Sequence, residues 1–170
     1  MSRALVGVSV GRVEEATGML QEGLETFRRL DDQQYVSMSL ATLGWMAFVK
    51  GDLPLAARLT ADNLRATLRM RDLATTTISL HTGMLLGVMA GRYEEAALVA
   101  GAFDASCERF GVRPPADLER FIQGIYPYET IRASLGAEAY EAVYGRGAAL
   151  GLTEAVQHVL ALAEAIGAED

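Results

Sequence analysis

The sequence predicts an all-α chain in which pairs of helices repeat about every 40 residues and a C-terminal group of helices closes the array. Three observations predict this. Gly11-Arg12-Val13-Glu14-Glu15-Ala16, Gly51-Asp52-Leu53-Pro54-Leu55-Ala56 and Gly91-Arg92-Tyr93-Glu94-Glu95-Ala96 carry glycine and alanine at the same offsets, 40 residues apart. Between these marks apolar residues recur at three- and four-residue steps, and few stretches alternate with the period of two that a half-buried strand needs. Hydrophobic residues make up 51% of the 170, with only four prolines to interrupt helices.

The first ten residues align with the second half of the later repeats: Leu5 with Trp45 and Leu85, Gly7 with Ala47 and Gly87, Val8 with Phe48 and Val88. The chain thus starts in mid-repeat. Because a stack of helix pairs leaves an apolar end unless a polar helix caps it, the expectation is a fragment of a longer protein, or a homodimer through the open N-terminal end. Residues 12–30 form the first complete helix, with Glu14 and Glu15 near the positive end of its dipole. Its buried stripe is Val13, Ala16, Leu20, Leu24, Phe27 and Leu30. An uncharged helix follows at 33–49. Residues 52–70 are amphipathic, with Pro54 in the first turn, where no amide partner is needed. A second uncharged helix spans 73–90 and a third charged one 92–110. Helices without charge on any side are buried on most sides. The reading is therefore an inner layer of 33–49 and 73–89 and an outer layer of 12–30, 52–70 and 92–110. Ala16, Ala56 and Ala96 are placed where a small side chain lets helices approach closely.

The pattern breaks after Phe110. Gly111-Val112-Arg113-Pro114-Pro115 reads as a loop, and 116–134 as a helix kinked before Pro127. Residues 137 to about 144 make a short helix, and Gly145, Gly147 and Gly151 mark the next turn. Thr153 is the expected cap of a last helix with the stripe Ala155, Val156, Val159, Leu160, Ala163 and Ile166. Two packing units are predicted: repeats at 1–111 and capping helices at 112–170.

Composition excludes several functions. A net charge of −7 with scattered Lys and Arg argues against direct nucleic-acid contact by this segment. One cysteine, Cys107, rules out an intrachain disulfide and suits a reducing cytosol; no leader pattern opens the chain. Leu73 to Gly91 carries no charge over 19 residues, long enough for a membrane span. Its four threonines, Ser79 and His81 instead favour a buried helix, and no membrane partner is expected.

No catalytic signature stands out. His81, in mid-helix, reads as a hydrogen-bonded core histidine rather than a ligand contact. His158, four residues after Glu154, reads as a surface pair. Cys107 reads as a small buried hydrophobe. Glu14-Glu15 and Glu94-Glu95 recur at one repeat position, which argues for dipole compensation over acid–base chemistry. Gly145-Arg146-Gly147 with Gly151 lacks a preceding strand and a following Gly-Lys-Ser/Thr, so it is read as a helix connection and not a phosphate loop. No catalytic or metal-binding residue and no cofactor are predicted, and the expectation is a non-enzymatic chain.

Leu43-Gly44, Gly51 and Ala56 resemble the Leu-Gly…Gly…Ala skeleton of tetratricopeptide repeats, which implies a right-handed superhelix. The tail from Leu135-Gly136 through Tyr140, Val143-Tyr144, Gly147 and Leu150 to Ala155-Val156 resembles a pattern that closes the helical-repeat region of actinobacterial ATPase regulators. These are of the LuxR, SARP and adenylate-cyclase-like kinds. Gly101-Ala102-Phe103 and Pro114-Pro115 match a further segment of that pattern. Tyr140 stands for Phe, Val143-Tyr144 for Ala-Trp, and Gly151 where Ser is common. The resemblance implies a regulatory interaction segment, in transcriptional regulation or signal transduction, whose chemistry lies in other modules. In the tetratricopeptide register the inner helices turn Met38, Trp45, Phe48, Ile78, His81, Leu85 and Met89 to the concave side. That surface suits a helix of a protein partner or of another domain of the parent chain. The alternative is a small apolar effector near Trp45 and His81, and the plainer outcome is that the C-terminal helices or neighbouring repeats already fill the face.

Overall fold

The computed structural model describes residues 13–112 and 127–168. Among them the chain is all-helical, with eight helices and no strand. They are α1 (Val13–Arg29), α2 (Gln33–Lys50), α3 (Leu53–Met70), α4 (Leu73–Met89), α5 (Tyr93–Phe110), α6 (Pro127–Leu135), α7 (Ala137–Ala148) and α8 (Leu152–Gly167). The alignment of residues 1–10, the Pro114-Pro115 loop and the predicted helix before Pro127 lie outside the described residues.

The repeat punctuation has a conformational cause. Gly51, Gly91 and Gly111 follow α2, α4 and α5 with φ of 74°, 69° and 63°, a left-handed region that costs a side chain energy and glycine little. The alternate connections reach the same conformation without glycine, at Asp31 (φ 53°) and Arg71 (φ 54°). After the bends at Asp31, Gly51 and Arg71 an aspartate caps the next helix. Asp32 accepts from the Tyr35 amide, Asp52 from the Leu55 amide, and Asp72 from the Ala74 and Thr75 amides. The Thr75 hydroxyl also donates to Asp72 at 2.6 Å, and chiefly this bond holds the Asp72 carboxyl below its ordinary pKa. The start of α5 has Arg92 in place of aspartate and no side-chain cap; there the guanidinium binds Glu95, with Nε 2.8 Å from Oε1.

Neighbours along the chain pack in order, α1 on α2, α2 on α3, α3 on α4 and α4 on α5. Ala16, Ala56 and Ala96 are each fully buried. Gly87 lies against Ala96, close enough that a methyl group there would sit 3.0 Å from the Ala96 Cβ. The uncharged helices bury polar as well as apolar groups: Ser37 and Ser39 on α2, and Thr76, Thr77, Ser79 and His81 on α4. Ser37 donates to Asn63 Oδ1 at 2.7 Å, and Asn63 Nδ2 donates to Ser79 at 3.1 Å. This buried relay ties α2, α3 and α4 in one line.

The tail folds back on the repeats. α8 packs against α3, α4 and α5, while α7 lies along α5. Ile131, Tyr140, Val143, Leu152, Ala155, Val156 and Val159 share one apolar cluster with Leu64, Leu80, Met84 and the buried side of α5. Farther along α8, Leu162, Ala163 and Ile166 join Ala47, Phe48, Ala56, Ala57, Ala61, Leu85 and Leu86.

Two local expectations are corrected. Gly145 and Gly147 do not mark a turn: α7 runs through them to Ala148. Gly147 rests on the Leu98 carbonyl and Gly101 on the Tyr144 carbonyl, so the glycines bring α5 and α7 into backbone contact. Thr153 does not cap α8, which starts at Leu152 after Gly151; the Glu154 carboxylate accepts from the Gly151 amide at 2.9 Å. That bond occupies the carboxylate that the sequence pairs with His158.

Candidate functional site

Met38, Thr42, Trp45 and Val49 are spaced by four, three and four residues and share one face of α2. Forty residues on, Ile78, Thr82, Leu85 and Met89 occupy the same positions of α4. Among the described residues the exposed large hydrophobics are Leu30, Tyr35, Met38, Val49, Leu73 and Met89, so all but Leu30 belong to these two helices. Met38, Val49 and Met89 are 45%, 60% and 50% exposed. That is far from the state of a core residue, and it recurs one repeat apart at Val49 and Met89, whereas Ile78, one repeat after Met38, is half-buried.

The predicted face is only partly open. Trp45 and Ile78 are half-buried, whereas Phe48, Leu85 and His81 are buried. Trp45, Phe48 and Leu85 come together in the cluster that takes in Leu162 and Ile166 from α8, with the Trp45 ring 6.4 Å from that of Phe48. His81 points elsewhere. Its ring meets Phe103 of α5 edge-on, 5.7 Å between centroids, and its Nε2 has no hydrogen-bond partner. The histidine is thus a core residue, as the sequence suggests, but without the expected hydrogen bond at that nitrogen. Burial alone pushes its pKa down to about 4, so the ring is neutral at physiological pH.

Two further groupings escaped the sequence reading. Asp104 on α5 accepts the Tyr128 hydroxyl at 3.0 Å and the Tyr144 hydroxyl at 2.7 Å, joining α6 and α7 to α5. Burial and the Asp104 charge raise both tyrosine pKa values, so the hydroxyls remain donors. Cys107, one turn on, is half-buried, and burial together with Asp104 pushes its thiol up to about 11, which leaves it a poor nucleophile. No periodic signal links Asp104 to tyrosines 24 and 40 residues away.

The second grouping is a cleft of about 690 Å³ where the first turn of α5 meets α7 and α8. Its lining combines apolar Leu98, Leu135, Val143 and Leu150 with charged Arg92, Glu94, Glu95 and Arg146 and with His158. It lies beside the Gly101 and Gly147 contacts that join α5 to α7, and of these two glycines Gly147 was read from sequence as part of a turn.

Among the described residues there is no group of three His, Cys, Asp or Glu side chains placed to hold a metal ion, and no helix long and apolar enough to cross a membrane. Neither a family model, nor a curated protein, nor a solved structure matches this chain.

Proposed function

We propose that this chain is a non-enzymatic interaction domain, a tetratricopeptide-like right-handed superhelix of helix pairs serving a larger signalling ATPase or transcriptional regulator. Its working surface is the stripe of Met38, Trp45 and Val49 on α2 with Ile78 and Met89 on α4. One observation carries this reading: Val49 and Met89, apolar side chains one repeat apart on two largely buried helices, are both left exposed, with Met38 exposed on the same face of α2. Exposed, repeated apolar positions without charge suit an amphipathic helix laid across them, from a protein partner or another domain of the parent chain. The methionines let such a face adapt its shape to the bound helix.

The test is site-specific photo-crosslinking in the native cell, from Val49 and Met89 and, as a control, from the exposed Arg58 of α3. The expected result is one shared protein, or one shared segment of the parent chain, captured from positions 49 and 89 and not from 58. Equal capture from all three positions, or capture from neither apolar position, would overturn the reading.

A further inference from the structure

The cleft between α5, α7 and α8 differs in chemistry from the apolar stripe and does not depend on it. Leu98, Val143 and Leu150 make an apolar floor. Its lining includes opposite charges from different helices, Glu94 of α5 and Arg146 of α7. Glu94 precedes Leu98 by one turn of α5, and Arg146 adjoins Gly147, the residue pressed onto the Leu98 carbonyl. Both side chains are exposed, and neither makes an ion pair or hydrogen bond, with each other or with any other described residue. The other two charges at this edge, Arg92 and Glu95, neutralise one another through their own ion pair.

We propose that this cleft binds a small zwitterion with an apolar body, such as a free α-amino acid. Glu94 takes its ammonium group, Arg146 its carboxylate, and the apolar floor its side chain. A bare anion is disfavoured by Glu94 and the net charge of −7, and a purely apolar ligand would desolvate two charges without pairing either. A zwitterion pairs both. The volume lies within the usual range for small-molecule sites.

Isothermal titration of the full chain with L-leucine, L-methionine and L-phenylalanine as probes tests this, with N-acetyl-L-leucine and L-leucinamide each lacking one of the two charges. The expected result is saturable binding of at least one amino acid, weakened about tenfold or more in each single-charge derivative. Glu94→Gln and Arg146→Gln, both at exposed positions and checked for folding by circular dichroism, should each weaken the best probe by a similar factor. No saturable binding of any of the three below about 10 mM overturns the proposal. So does binding that both variants leave unchanged, or binding that N-acetyl-L-leucine and L-leucinamide match.

Discussion

His81 and Asn63 are both buried polar side chains, yet they act on stability in opposite ways. His81 is held neutral by burial, with a folded pKa near 4 against an ordinary 6.5. Below pH 6.5 the unfolded chain takes up a proton that the folded chain refuses, so protonation favours unfolding. Stability from this residue is complete above pH 6.5 and is lost as pH falls toward 4, by up to about 3 kcal/mol. Urea titrations across that range should show the loss, and His81→Leu should remove this part of the slope. Asp72, whose lowered pKa acts at still more acid pH, is unaffected by that change. Asn63 instead completes a relay. Replacing it with Ala leaves the Ser37 and Ser79 hydroxyls unpaired in the interior and should cost about 1–3 kcal/mol by equilibrium denaturation. Replacing all three residues with apolar side chains of similar shape should cost less than the single change, since no polar group is then left unsatisfied.

Two kinds of backbone demand shape the helices. At Arg71 a long side chain sits in the left-handed region after α3, where the bend one repeat later uses Gly111 and the bend one repeat earlier uses Asp31. Arg71→Gly should stabilise by roughly 0.5–1 kcal/mol, since relief of strain outweighs the added freedom of the unfolded chain. A lower denaturation midpoint in the variant would refute that. Gly101 and Gly147 have the reverse requirement. Their φ values are ordinary, and what matters is the missing Cβ, because each faces a carbonyl of the opposing helix. Gly147→Ala should force α5 and α7 apart and destabilise by about 1–3 kcal/mol, well beyond the small gain in helix propensity. A thermal midpoint equal to wild type would show that the contact is not tight. The same pair explains what could be read in advance and what could not. The helix ends of α2 to α5 were legible to within a residue, because glycine, aspartate and the 40-residue period mark them together. In the tail a glycine at a turn and a glycine at a helix crossing look alike in sequence. Only the partner carbonyl tells them apart, and it lies some 45 residues away.

For the molecule as a whole, burial divides the predicted interaction residues. Met38, Val49 and Met89 form an open surface, and Phe48 and Leu85 belong to the core that α8 completes. Periodicity identifies which residues share a helix face, but it cannot say which part of that face a distant segment covers. That is why the residues sharing a helix face were legible and cover by the C-terminal helices stood only as one alternative, while the Asp104–tyrosine links and the cleft were not legible. Substitutions on the open part should therefore alter binding with little effect on folding. Val49→Lys is expected to change the thermal midpoint by less than about 0.5 kcal/mol equivalent while abolishing any crosslink at the face.

The return of α8 to the middle of the chain also has a consequence in time. The repeats are stitched by contacts between sequence neighbours, which form quickly. The side of α4 that carries Gly83, however, is covered by Val159, which is synthesised much later. At 5–20 residues per second a ribosome takes roughly 4 to 15 s to travel between the two. For that interval the Gly83 side of α4 lacks Val159, and the cluster of Phe48, Leu85 and Leu86 lacks Leu162, Ala163 and Ile166. A helix synthesised late thus completes a cluster whose other members come from α2, α3 and α4.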